Sequence, residues 1–361
     1  MHKSPFRDPW LFVLLLLVVL LKLFAADAGR VERYYSQGLY PAFSRVLRGA
    51  LGPLPFSLGD LLYFAAGAAL AFGLFRLLRA GFRRRLRAGW RPVLTAAKTL
   101  LVVYLVFQTF WGLNYSRLGI ARQLDLHAAP GDTARLETLA RLLQARLCTW
   151  GDRVDSIRRL RLGHNDSLFA GTVATYEHTA RRFPFLRYRN PSLKPSMYSA
   201  VGHYFGFTGY YNPFSGEAQV NTAVPVFLRP FVACHEVGHQ LGYGKENEAN
   251  FVGFLAARQS DDPEFRYSAY YEMYLYTLRE LRQSDPLTAF ALRRTAHPQV
   301  RKDYRAYLVY LQSTRNLVEP LVSRVYDQYL RLNQQAHGIE TYDEVVLWLL
   351  AYMKKYGEDA I

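Results

Sequence analysis

Two cysteines in 361 residues, Cys148 and Cys234, are too few for a disulfide framework. Cys234 reads as a packing residue rather than a nucleophile. Acidic residues are also short, 29 against 45 Lys and Arg, which leaves a net charge of +16. Between Asp60 and Asp125 there are none at all. Such an excess first suggests nucleic acid, but its distribution excludes that reading. Arg76, Arg79, Arg83, Arg84, Arg85, Arg87, Arg91 and Lys98 supply eight of the sixteen excess charges and lie between two apolar runs. A loop beside a membrane accounts for the cluster better than a nucleic-acid surface.

Three apolar runs occupy the first third of the chain, at about 10–26, 61–78 and 93–113. Each is about long enough to cross a bilayer. Ala26-Asp-Ala28 resembles a signal-peptidase site, but two further runs follow, so the first is expected to be an uncleaved span. The positive-inside rule places the Arg-rich loop between spans two and three in the cytoplasm, with His2, Lys3 and Arg7 on the same side. The loop from about 27 to 57 and everything after about 114 then lie outside. The expected organisation is a membrane region, 1–114, and an extracytoplasmic domain, 115–361.

That domain reads as α+β and mostly helical. Periodicity predicts helices over 134–149 and 166–183, the second with Asn165-Asp166-Ser167 as its cap, and from 264 almost to the end. Thr341-Tyr-Asp-Glu344 has the form of a capping box. Residues 190–221, dense in Pro, Gly, Ser and aromatics, predict two or three short strands with turns at Gly209 and Ser215-Gly216. The strand just before the next helix is expected to offer an edge to an extended peptide.

The chemistry is concentrated in Cys234-His-Glu-Val-Gly-His239-Gln-Leu-Gly-Tyr-Gly-Lys-Glu246-Asn-Glu248-Ala-Asn250. Residues four apart share one helical face, so His235 and His239 can address one metal ion. Imidazole pairs at this spacing suit Zn²⁺, and Glu236 beside them is placed to act as general base toward a water. Gly242 and Gly244 allow the chain to stop and turn, and a second apolar-periodic stretch begins near Glu246. Glu246 shares a face with Asn250 and is the expected third ligand; Glu248, pointing largely elsewhere, is the substitute. In zinc peptidases with a glutamate ligand, the residue four further on is usually Asp and bonds a ligand histidine; Asn250 can accept the same ring N–H without bringing charge. Burying two His and two or three Glu together without a metal would be costly. An oxyanion stabiliser is expected among Tyr267, Tyr270, Tyr271, Tyr274, Tyr276, His203, Tyr210 and Tyr211.

Three N-terminal spans, Trp111-Gly-Leu-Asn-Tyr115, Gly216-Glu-Ala-Gln-Val-Asn221, Cys234-His-Glu-Val-Gly-His239 and Glu246-Asn-Glu-Ala-Asn250-Phe together resemble the bacterial membrane family called domain of unknown function 3810. The resemblance covers nearly the whole chain. It implies a zinc-metallopeptidase-like protein of the bacterial inner membrane, with His235, His239 and Glu246 as ligands and Glu236 as base. The metzincin pattern fails, because Lys245 stands where its third histidine belongs. An intramembrane protease fits poorly, since the motif lies outside the spans. The expectation is a gluzincin-like, zincin-fold peptidase that faces the periplasm or exterior and cuts an envelope protein or peptide. A zinc-stabilised sensor or scaffold that binds peptides without cutting them is the alternative. A transporter is disfavoured, because the spans lack paired ionisable residues.

Overall fold

The computed structural model of the chain describes residues 8–82, 90–127, 132–333, 335, 338 and 344–361. His2, Lys3 and Arg7, the arginines at 83, 84, 85 and 87, and capping-box positions 341–343 lie outside the described residues, as do the side chains of Arg91 and His203.

Four helices open the chain: α1 Pro9–Ala25, α2 Ala28–Leu51, α3 Leu58–Phe82 and α4 Trp90–Phe110. The stretches Leu58–Arg79 of α3 (22 residues) and Pro92–Phe110 of α4 (19 residues) are long and apolar enough to cross a membrane. Their side chains face outward along nearly the whole length, as a lipid-facing helix requires. α1 has 17 residues and passes the same test only together with α2, from which it is bent by 92°. The bend has a local cause: the Asp27 carboxylate accepts from the Arg30 amide at 2.9 Å and starts a new helix.

α2 corrects the reading of 27–57 as a loop. It is π-helical over Val31–Leu39, and it buries Val31, Glu32, Tyr35, Ser36, Tyr40, Ser44 and Arg48. Half of that buried face is polar, so the segment carries no apolar helical signature.

The remainder is a helical body around a small sheet. Its helices are α5 Thr133–Gly151, α6 Ser156–Leu162, α7 Asn165–Arg182, α8 Arg229–Gln240, α9 Glu246–Ala257 and α10 Pro263–Ser284. These are followed by α11 Pro286–Thr295, α12 Pro298–Thr314, α13 Glu319–Leu332 and α14 Val345–Tyr356. The start of α7 differs from expectation, with His164 rather than Asn165 at its N-cap.

The strands β1 Leu193–Pro195, β2 Gly209–Asn212 and β3 Glu217–Val220 form one sheet in the order β1-β3-β2. β3 runs parallel to β1 and antiparallel to β2, with Gly209 opposite Val220 and Tyr211 opposite Ala218. The strand before α8 is therefore central rather than an edge, and the edge falls to β2. Asn212 closes the β2–β3 turn by accepting from the amides of Phe214 (3.0 Å) and Ser215 (3.2 Å), and Gly216 takes φ +70° there.

α8, from Pro230 onward, and the whole of α9 are buried at the centre. Two glycines set how closely they cross. A Cβ on Gly253 would lie 3.0 Å from the His235 backbone nitrogen, and one on Gly238 would lie 3.4 Å from the Ala249 carbonyl oxygen. Gly253→Val is expected to force the helices apart at a cost of about 1–3 kcal/mol. Thermal unfolding of the detergent-solubilised chain would read this as a lowered midpoint; an unchanged midpoint would mean that the crossing is not tight.

Candidate metal centre

α8 begins with Pro230 in its first turn and ends at Leu241, where Gly242 turns the chain at φ +88°. Helix ends leave carbonyls without intrahelical partners. Here side chains from the first third of the sequence satisfy several of them. Trp111 Nε1 donates to the His239 carbonyl (3.0 Å), Tyr40 Oη to that of Gln240 (2.9 Å) and Arg117 Nη1 to that of Gly242 (2.9 Å). Arg117 is itself buried, paired with Glu32 at 2.7 Å and laid over the Tyr243 ring at 4.8 Å. Gln240 ties α8 to the sheet region, donating to the carbonyls of Ser192 and Gly216.

α9 starts immediately after this turn. Its first residue, Glu246, lies opposite the two histidines across the α8–α9 crossing. The candidate donor atoms of His235, His239 and Glu246 all fall within 4.8 Å of one another, and all three residues are buried. Glu246 Oε2 is 3.3 Å from His235 Nε2 and 3.5 Å from His239 Nε2. A tetrahedral zinc site with arms of about 2.0–2.1 Å has edges of about 3.4 Å.

The hydrogen bonding around these atoms points the same way. His239 Nδ1 lies 2.7 Å from the Tyr243 carbonyl, which can only accept, so that nitrogen carries the hydrogen. Nε2, 3.5 Å from Glu246 Oε2, then either offers its lone pair to a cation or, when protonated, pairs with that carboxylate. Glu246 Oε2 and His235 Nδ1 make no hydrogen bond among the described residues. A cation held by the three residues satisfies this geometry, and zinc matches the donor set of two imidazoles and one carboxylate.

The charges follow. Burial alone would pull the His239 pKa down, but the Glu246 carboxylate outweighs it and pushes the pKa up to about 9. Burial would raise Glu246, yet the two histidines hold it well below the usual carboxylate range. Burial raises Glu236 to about 7 against the pull of both histidines.

Glu236 lies against the edge strand. A Cβ on Gly209 would sit 2.5 Å from Glu236 Oε1, so the glycine that starts β2 leaves room for the carboxylate. Glu248 is directed elsewhere: its Oε1 would lie 1.8 Å from a Cβ on Gly119, which has φ +74°. There its pKa is raised by burial and drawn back by Lys245 and Arg117. Asn250 is buried and lines the cleft with Glu246, while the contact expected of it, to a ligand ring N–H, is made at His239 by the Tyr243 carbonyl. Cys234 is fully buried and burial raises its thiol, in keeping with packing.

His235, Glu236, His239 and Glu246 open into a cleft of about 680 Å³ walled by β2, α8, α10, α13 and the body-side ends of α3 and α4. Of the hydroxyl-bearing candidates, Tyr210, Tyr211 and Tyr276 line it. Tyr267, Tyr270, Tyr271 and Tyr274 do not; they pack into the core, Tyr267 on Asp303 and Tyr270 on the C-terminal carbonyl. Sequence reasoning missed Tyr326 of α13, whose hydroxyl donates to Glu246 Oε1 at 2.9 Å. No local pattern marks it, because tertiary packing alone brings α13 over the site. Trp111 and Tyr40 were equally unmarked as supports of α8.

No curated protein and no solved structure matches the chain. One family model does, described as "Protein of unknown function (DUF3810)", and it matches residues 35–350. That stretch runs from within α2 to within α14 and includes every residue of the cluster, so the chain belongs to this family.

Proposed function

We propose that the chain is a membrane-anchored, gluzincin-like zinc metallopeptidase of the bacterial inner membrane, with its site on the periplasmic or outer side. His235, His239 and Glu246 hold the metal, Glu236 is the general base, and Asn250 borders the site one turn after Glu246. Glu248 remains a supporting carboxylate of the Arg117 cluster. The observation that carries the reading is the convergence of two imidazole nitrogens and a carboxylate oxygen at ligand spacing, with a second buried carboxylate, Glu236, beside them.

Zinc bound there supplies Lewis acidity, polarising a scissile carbonyl and making a water more acidic. The protein supplies the rest. An extended peptide added to the free side of β2 places its backbone along the cleft beside Glu236. Glu236 takes a proton from water as the oxygen attacks the carbonyl carbon. The same oxygen of Glu236 returns that proton to the leaving nitrogen as the C–N bond breaks.

The topology rests on the Arg-rich interval between α3 and α4, which the positive-inside rule assigns to the cytoplasm. The end of α1, the start of α3 and the end of α4 all adjoin the helical body. Residues 115–361 thus form the extracytoplasmic body, completed by 28–57 from between the first two spans. Active alkaline phosphatase fused after residue 114 supports this placement, and an inactive reporter there contradicts it.

Cleavage of casein by the purified full-length chain is expected to stop with 1,10-phenanthroline and return with stoichiometric Zn²⁺. Cleavage insensitive to the chelator would overturn the reading, and zinc binding without cleavage would favour the peptide-binding scaffold. Loading also has a proton signature. His239, raised to about 9, is protonated at pH 7.5 in the metal-free chain and must lose that proton to ligate. Calorimetry in buffers of different ionisation enthalpy should therefore show release of about one proton per zinc. Apparent affinity should rise with pH until about 9. The His239–Glu246 attraction stabilises the metal-free fold fully below the ordinary histidine pKa, and that contribution is lost as pH rises through about 9.

A further inference from the structure

We propose that the cleft takes its substrate from the bilayer surface: the outer face of α13 lies in the headgroup–acyl boundary, and the chain that is cut is the juxtamembrane segment of a membrane-anchored polypeptide. The inference rests on the metallopeptidase reading and names the substrate class of that site.

α13 has two faces with different tasks. Glu319, Val322, Ser323, Tyr326 and Tyr329 line the cleft, and Tyr326 reaches the metal cluster. The adjoining stripe is Val318, just ahead of the helix, with Leu321, Val325 and Leu332, at three-, four- and seven-residue steps. It is open to the surroundings, with Leu321 62%, Val325 64% and Leu332 80% exposed. Arg324 stands at its edge, the arrangement of a helix lying in a membrane interface.

The occupant of that face follows from its continuity with the spanning helices. Tyr329 packs edge-on against Phe107 of α4, at 6.4 Å, and its hydroxyl lies 3.2 Å from that of Tyr115. Leu332 and Asn333 share a small recess with Leu21, Lys22 and Ala25 of α1 and Gln108 of α4. The apolar stripe therefore begins where the outward-facing leucines of α1 end.

The other rim of the cleft is fixed to the membrane in the same way. The Met197 amide donates to Asp60 Oδ2 of α3 at 2.8 Å, and Tyr198 Oη donates to the Asp60 carbonyl at 2.7 Å. The segment that follows exposes Val201 and Phe205, and its Tyr204 carbonyl accepts from Asn316 just ahead of α13 at 2.6 Å. Tyr63 of α3 and Phe107 of α4 themselves form cleft wall. Both rims and part of the wall thus stand at the outer ends of spans. A peptide reaches β2 and Glu236 only a short distance above the lipid, and a membrane-anchored chain presents such a segment at high effective concentration.

The test uses the full-length protein in vesicles of phosphatidylethanolamine and phosphatidylglycerol. Bimane is attached to one introduced cysteine at a time in a Cys148→Ser background, in which the remaining Cys234 is fully buried, at Leu321→Cys, Val325→Cys and, for comparison, Ile157→Cys, an open apolar position on α6. Doxyl-labelled lipid is expected to quench the first two strongly and the third weakly; equal quenching overturns the proposal. The same unstructured casein segment is then offered free in solution and fused to a single transmembrane helix in the vesicles. Glu236-dependent cleavage about tenfold or more faster for the anchored form supports the proposal. Equal Glu236-dependent rates overturn the substrate class and leave the peptidase standing. No Glu236-dependent cleavage of either form overturns the peptidase reading, and the substrate claim falls with it.

Discussion

Glu236→Gln is expected to retain zinc and the fold while losing cleavage by about 10²–10⁴-fold. The substitution keeps shape and volume beside Gly209, where a Cβ would come within 2.5 Å of Oε1, so no new space or clash is introduced. It removes only the group that accepts the proton. Burial already disfavours the charged form of Glu236, so the neutral amide does not weaken the fold. A thermal midpoint equal to or above wild type, together with full zinc and lost turnover, is the combination expected. Cleavage within a few fold of wild type would remove Glu236 from the chemistry. Lost cleavage with lost zinc would make it a ligand or a structural residue instead.

The second large effect separates the two acidic residues of α9. Glu246→Gln is expected to lower zinc affinity by at least about 100-fold, beyond what partners outside the ligand set usually cost. Glu248→Gln is expected to leave zinc affinity within a few fold. Glu246 Oε2 lies between the two histidine Nε2 atoms, whereas Glu248 lies beside Gly119 and feels Lys245 and Arg117. Competition with a chromophoric chelator measures both. The reverse ranking, with Glu248→Gln losing the metal, would require α9 to turn about its axis and would contradict the arrangement of α8 and α9.

What the sequence revealed of the site follows from helical geometry. His235 and His239 are one turn apart, and Glu246 begins a new helix after Gly242, so their convergence needs only two helices and one sharp turn. Tyr326 has no such local relation: it is 80 residues from Glu246, and only packing brings them together. The edge strand shows a different limit. Two or three strands were legible in 190–221 from composition, but their order depends on β1 entering parallel beside β3, a pairing no local signal encodes. α2 was read as a loop because its inward face carries Glu32, Ser36 and Ser44, which bond long-range partners, and Arg48, which bonds Ser44 and lies over the Tyr188 ring, rather than an apolar stripe. Glu32 neutralises Arg117, and Tyr40 and Ser44 serve the end of α8. These contacts also show why experiments should use the full chain: removing the first 114 residues would remove Tyr40 and Trp111 from the end of α8.

The most direct test is the zinc content of the full-length protein, purified in detergent without added chelator and measured by mass spectrometry of the metal. The account predicts one zinc per chain in wild type and in Glu236→Gln, and none in His235→Ala/His239→Ala. Wild-type protein that carries no zinc, and takes up none on dialysis against Zn²⁺, would contradict it.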